Sequence, residues 1–304
     1  MVSEPIADAE LQAWLREQPA FSEPDPAAWR ADIAERAARR PREIEMQRVT
    51  DLDAAGVPVR LYVPFGEPAA LLVYLHGGGW TIGSLDGHDP VCRAIADGAG
   101  VRIVSIDYRL APEHPWPASV EDAVAVLSWV ATGPSELGGA PIRRGVAGDS
   151  AGGALAALAC QRLRERRPAA LPDVQILLCP NTDLAADTSS MREKAVGFGL
   201  DAELVWWFAR QWVPDRERWI DPRVSPLRAE DLSGLPRALV VTAEHDPLRD
   251  EGEAYARRLA EAGVTTTLRR DLGLVHNPIM LARVSPACAD ALRGVIADVR
   301  MLLG

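Results

Sequence analysis

The chain is almost devoid of lysine. Lys194 is the single one, so arginine carries nearly all of the positive charge. The arginines are scattered, and 43 acidic against 33 basic residues leave a net charge of -10. A surface of that sign repels phosphate backbones, which argues against nucleic acid as a partner. Long apolar runs are lacking as well. A typical one, Ala69–Leu75, has the length of a strand and not the roughly 20 residues of a membrane span, so no stable membrane association is expected. The start, Met1-Val2-Ser3-Glu4-Pro5, has neither the basic residues nor the apolar stretch of a signal peptide. Cysteine is sparse: Cys92, Cys160, Cys179 and Cys288 form no C-x-x-C pair and no cluster with histidine along the chain. The expectation is a cytoplasmic protein with reduced thiols that needs no metal and no organic cofactor.

What is present is globular. Hydrophobic residues make up 48% and charged residues 25% of 304, enough for one large α/β domain carrying an insertion. Residues 1–42 are patterned as helix, with Leu11, Trp14 and Leu15 on one face and Trp29, Ile33 and Ala37 on another. Pro24 and Pro26 punctuate the gap between them. Two β-like runs between residues 43 and 64 flank Ala54-Ala55-Gly56 and predict a hairpin. Strand-like runs at 71–75, 101–106, 145–147, 174–178, 238–242 and 265–269 then alternate with helical spacing at 120–130, 151–163, 251–262 and 286–303. Buried strands alternating with helices mean a mostly parallel central sheet covered on both faces. Residues 183–222 interrupt the alternation with helix and no obvious strand, and hold Trp206, Trp207, Trp212 and Trp219. A helix apolar on several sides is buried, roofs a pocket or forms an interface.

Gly148-Asp149-Ser150-Ala151-Gly152 fits G-x-S-x-G and lies between a strand-like and a helix-like run. That is the context of a nucleophile elbow, whose tight turn leaves no room for side chains two residues either side of the serine. Upstream, His76-Gly77-Gly78-Gly79-Trp80 directly follows an apolar run. Three glycines allow the backbone to turn N–H groups toward a developing oxyanion, and the motif lacks the Lys-Ser/Thr of a phosphate loop. A serine hydroxyl needs a base, and the base an orienting acid. On an elbow of this kind the chain order is serine, acid, histidine, which leaves His245 and His276 of five histidines. Asp246 as acid and His276 as base fill both places. His245 is the rival base and Asp250 the rival acid, and Asp149 is placed to fix the turn. Trp80, Asp149 and Trp207 are candidate pocket residues.

Together with Tyr108-Arg109-Leu110-Ala111-Pro112-Glu113, Asp246-Pro247-Leu248-Arg249-Asp250-Glu251-Gly252 and residues 221–227, these motifs resemble the bacterial esterases similar to hormone-sensitive lipase, within the α/β-hydrolase fold. The resemblance covers roughly residues 43–302. It implies a serine carboxylesterase acting on short- to medium-chain acyl esters through Ser150, His276 and Asp246, with an oxyanion hole from the N–H groups of Gly78, Gly79 and Ala151. It implies a catalytic domain of residues 43–182 and 223–304 under a helical cap of residues 1–42 and 183–222, and a homodimer. Amidase, lactonase, carbamate and arylformamide hydrolases use the same machinery and stay open, as does a non-catalytic small-molecule binding protein on the same scaffold. One position departs from the family pattern: its usual His-Gly-Phe is His276-Asn277-Pro278 here.

Overall fold

A computed structural model of the chain describes residues 6–19 and 21–304; residues 1–5, considered above for a signal peptide, lie outside the described residues. The strands are β1 (Arg48–Ala54), β2 (Val57–Val63), β3 (Leu71–Leu75), β4 (Arg102–Ile106), β5 (Arg144–Asp149), β6 (Val174–Leu178), β7 (Arg237–His245) and β8 (Thr266–Val275). They form one sheet in the order β1-β2-β4-β3-β5-β6-β7-β8. β1 and β2 are the expected hairpin, β2 meets β4 antiparallel, and every other pairing is parallel. The helices are α1 (Ala9–Glu17), α2 (Pro26–Ala38), α3 (Leu85–Ala99), α4 (Ala118–Ala131), α5 (Ala151–Arg166), α6 (Ser189–Glu193), α7 (Ala202–Trp212), α8 (Arg249–Glu261) and α9 (Pro286–Leu303).

All five residues of β3 are buried, because successive side chains enter two different cores. Leu71, Val73 and Leu75 pack with α4, α5 and α8, whereas Leu72 and Tyr74 pack with α3 and α9. A strand buried on both faces has no polar alternation, which is why it reads as a plain apolar run. From β3 the chain crosses to β4 on one side and later to β5 on the other. The order reverses there, and such a switch point opens a crevice outside the carboxyl ends of the two strands. The glycine-rich loop leaves β3 at that crevice, and the serine turn leaves β5.

The N-terminal helices and the inserted segment lie over this end of the sheet. α1 and α2 begin at Asp8 and Asp25, whose carboxylates accept N–H groups of the first turn, and Pro26 opens α2 at the position that suits it. Leu11, Trp14 and Leu15 pack with Leu274 and Val275 of β8, and Trp29 and Ile33 with Ile82, Trp207 and Phe208. Residues 183–222 contribute α6, α7 and a 3-10 turn at Arg216–Ile220, with no strand.

Two boundaries differ from the sequence reading. β7 and β8 run on to His245 and Val275, well past 242 and 269, with a register irregularity between Ala243 and His245. His245 is therefore the last residue of a strand and not part of a loop. Residues 271–275, beyond the strand-like run at 265–269, are strand as well. β8 sits at the sheet edge, where exposed positions such as Arg270 and Leu272 alternate with half-buried ones and blur the apolar signal.

Candidate active site

β5 ends at Asp149 and α5 begins at Ala151, so Ser150 alone reverses the chain. Its backbone has φ 54 and ψ -120, a sparsely populated conformation that costs about 1–3 kcal/mol. The surroundings hold it there. The Ser150 N–H donates to the Leu178 carbonyl at 2.8 Å. A Cβ on Gly148 would lie 2.3 Å from the Gly152 carbonyl carbon, and one on Gly152 2.0 Å from the Leu75 oxygen. The spacing of G-x-S-x-G is thus a steric requirement of this turn.

Asp246 is the residue after β7 and His276 the residue after β8, so two adjacent parallel strands deliver them side by side. The Ser150 hydroxyl lies 2.9 Å from His276 Nε2, and His276 Nδ1 lies 2.8 Å from Asp246 Oδ2. An ionised carboxylate only accepts, so Nδ1 carries the proton and Nε2 is left to accept from the serine. The second oxygen of Asp246 accepts the Leu248 N–H at 2.8 Å, which fixes the carboxylate plane. Asp246 is fully buried and the His276 side chain is 12% exposed.

The rivals are not brought to the serine. His245 Nδ1 meets the Lys194 ammonium at 3.1 Å and its ring stacks on Phe198 at 5.4 Å; burial and the Lys194 charge lower its pKa. Asp250, in the first turn of α8, accepts the Ser190 N–H at 2.8 Å. Among the described residues, one trio of metal-ligand types converges: Cys179, Asp246 and His276, with ligand atoms within 4.8 Å of one another. Their separation along the chain hides it from a sequence search, and the Asp246–His276 hydrogen bond already joins two of the three.

Gly78, Gly79, Ser150 and Ala151 border one cavity of about 210 Å³. Among the described residues the Gly78 and Gly79 N–H groups meet no acceptor. The Ala151 N–H opens α5, where helix N–H groups are unpaired and the helix dipole favours negative charge. The loop is braced from below: Tyr108 Oη donates to the His76 carbonyl at 2.7 Å, and the two rings stack at 4.3 Å. Burial, with the electrostatic effect of His88, lowers the His76 pKa to about 4 and keeps this ring neutral. From above, Arg30 of α2 donates to the Thr81 and Ala111 carbonyls at 2.7 and 2.6 Å and forms an ion pair with Glu113. The sequence reading missed Arg30, because a lone arginine on a polar helix carries no signal.

His276 and Asn277 border the cavity too, and its apolar walls include Trp29, Trp80, Leu200, Leu204, Phe208 and Leu248. Trp80 borders the cavity and stacks flat on Trp212, with centroids 4.2 Å apart. Trp207 does not border it. α7 turns Phe208 inward, and Trp207 stands behind it in an edge contact at 5.2 Å. The i, i+4 pair Leu204 and Phe208 was the signal for the correct face. Asp149 also lies away from this cavity. It is fully buried and takes hydrogen bonds from Tyr74 Oη at 2.8 Å and Asn277 Nδ2 at 2.6 Å, with His88 Nε2 at 3.4 Å. Burial pushes its pKa up, but His88, Tyr74 and Asn277 together outweigh that and hold it at about 2.

The chain is similar to known proteins over most of its length. A family described as alpha/beta hydrolase fold matches residues 72–280. The chain is 45% identical over 262 residues to the carboxylic ester hydrolase LipN of Mycobacterium tuberculosis, spanning 83% of this chain and 70% of that protein. It is 44% identical over 253 residues to the carboxylesterase NlhH of the same species, spanning 81% and 79%. Among solved structures, the hyperthermophilic esterase of the archaeon Pyrobaculum calidifontis matches with a TM-score of 0.91 at 36% identity, covering 99% of this chain and 100% of that one. With the family match, these likenesses and the eight-stranded sheet in agreement, the chain belongs to the hormone-sensitive lipase-like esterases of the α/β-hydrolase fold.

Proposed function

We propose that this carboxylic ester hydrolase is a serine carboxylesterase for short- to medium-chain acyl esters, with Ser150 as nucleophile, His276 as base and Asp246 as orienting acid. The observation that carries the reading is the unbroken hydrogen-bond chain from Asp246 through His276 to Ser150, opening on a cavity rimmed by unpaired N–H groups. Ser150 Oγ attacks the ester carbonyl while its proton passes to His276 Nε2, and Asp246 stabilises the imidazolium that forms. The carbonyl oxygen becomes an oxyanion between the N–H groups of Gly78, Gly79 and Ala151, each worth roughly 3 kcal/mol when well aimed. As the tetrahedral intermediate collapses, the alkoxy C–O bond breaks and His276 gives its proton to the leaving alcohol. Water then attacks the acyl-enzyme with His276 again as base, and the acid leaves as Ser150 recovers its proton.

The acyl chain lies in the apolar cavity. Its modest size, about 210 Å³, supports the short-to-medium limit. Residues 1–42 and 183–222 act as the cap, since Trp29 from the first and Leu200, Leu204 and Phe208 from the second supply its roof. Four buried free thiols support a cytoplasmic location. Exposed Leu268 and Leu272 on edge strand β8 support a homodimer, which light scattering tests. The decisive experiment is initial rates on p-nitrophenyl esters from acetyl to palmitoyl, with Ser150→Ala alongside. Rates that peak at short chains and vanish in the folded variant support the reading. Turnover retained by Ser150→Ala sinks it.

A further inference from the structure

The residue after the base is unusual in its backbone as well as its identity. Asn277 has φ 55 and ψ 53, a left-handed conformation that glycine adopts freely and asparagine tolerates better than other side chains. Unlike glycine, it brings an amide. Asn277 Nδ2 lies 2.6 Å from Asp149 Oδ2, and among the described residues this is the only hydrogen bond its side chain makes, because the buried Oδ1 has no partner. Asp149 is ionised and can only accept, so the amide must face it through nitrogen.

The two ends of that bond matter more than its strength. Asp149 is bonded in sequence to Ser150, is fully buried, and is held at its far oxygen by Tyr74 of β3. Asn277 is bonded in sequence to His276. The hydrogen bond therefore closes a short ring: Ser150, Asp149, Asn277, His276, and back to Ser150 through the 2.9 Å contact of Oγ with Nε2.

Resting on the triad reading above, we propose that Asn277 is a positioning residue, whose amide ties the loop carrying the base to the turn carrying the nucleophile and so sets the distance between His276 and Ser150. The rest of the loop supports the backbone without setting this distance. The Met280 N–H donates to the Asn277 carbonyl to start a 3-10 turn at Pro278–Leu281, and Ile279 is buried in the core beside α9. Removing the amide therefore leaves a folded protein whose base is still held by Asp246 at Nδ1 but is no longer tied to the turn of Ser150. A drift of about 1 Å costs on the order of 100-fold in rate.

Two variants test this, with Ser150→Ala alongside. Asn277→Gly keeps the left-handed backbone and deletes the tie. Asn277 also borders the cavity, but the apolar walls that hold the acyl chain are unchanged, so kcat on p-nitrophenyl butyrate is expected to fall roughly 10- to 100-fold and KM to change by much less. Asn277→Asp sets a second carboxylate against Asp149, which also faces His88 Nε2 at 3.4 Å on the same oxygen and accepts from Tyr74 on the other. Near pH 8 both are charged, repel, and push the loop away; at lower pH the pair shares a proton and the hydrogen bond re-forms. Its activity relative to wild type is therefore expected to rise as pH falls, a signature that plain loss of packing does not produce. Wild-type kcat in Asn277→Gly overturns the proposal, and so does a ratio for Asn277→Asp that stays flat with pH. Turnover in Ser150→Ala overturns the triad reading itself, which neither Asn277 result does.

Discussion

Phe208 walls the cavity from the inserted segment, and on the proposal that the acyl chain lies there, shortening it to alanine should lengthen the preferred acyl chain. The ring is 7% exposed, stacks on Trp29 at 5.7 Å, and presses so close to the oxyanion loop that a Cβ on Gly79 would lie 2.0 Å from Phe208 Cγ. Taking it away opens the space between Gly79 and Trp29 to substrate. Each methylene that gains an apolar site is worth about 0.8 kcal/mol, or about fourfold in kcat/KM. Room for two more methylenes should therefore raise the ratio of kcat/KM for octanoate over butyrate about 15-fold. The ratio is the quantity to measure, since it cancels any loss of folded enzyme. Such a loss is expected, because deleting a buried phenylalanine side chain costs about 3–5 kcal/mol. Phe208→Leu, a smaller change, should give a smaller shift in the same direction. A ratio unchanged within about twofold in a folded Phe208→Ala would refute the reasoning, and would mean that the cavity ends elsewhere.

Two further predictions follow from the buried charges. Asp246→Asn keeps the shape and the Leu248 contact but presents an N–H to His276 Nδ1 or forces the wrong tautomer; kcat should drop on the order of 10⁴-fold, with the circular dichroism spectrum unchanged. For His76 the native ring stays neutral down to about pH 4, whereas the unfolded chain takes up a proton as pH falls through 6.5. The native state is thus disfavoured progressively across that window, by about 2 kcal/mol between pH 7 and pH 5. Urea midpoints at the two values check it, and equal midpoints would remove His76 as a source of acid sensitivity. Asp149 acts lower, its share of stability being lost only as pH falls from 3.8 toward 2.

The central strands were legible because burial on both faces writes them as short apolar runs, and β3, β6 and the start of β7 were read to within a residue or so. α3 was not. Its buried positions include His88, Asp89 and Arg93, and Pro90 lies inside it, so neither the apolar stripe nor the absence of breakers marks it as a helix. What stabilises it lies elsewhere. Arg93 donates to Asp89 at 2.6 Å, Ser84 caps one end, and Gly100 closes the other in the left-handed conformation. Polar residues satisfied inside a fold look, in sequence, like residues that face water.

The site divides in the same way. The three side chains that the structure joins in one hydrogen-bond chain, Ser150, Asp246 and His276, are those that chain order singles out, because the elbow constrains glycines locally and each partner follows a strand whose start local pattern reveals. What could not be named is what depends on a side chain reaching another element: Arg30 bracing the glycine-rich loop and Tyr108 holding His76. Position 277 shows why. Asparagine there looks in sequence like a defect in the loop of the base, because glycine is what a left-handed turn favours. In three dimensions the same residue meets the backbone requirement and also spends its amide on Asp149, 128 positions earlier in the chain. A residue that breaks a local pattern while meeting its backbone requirement has its purpose in a contact the pattern does not contain.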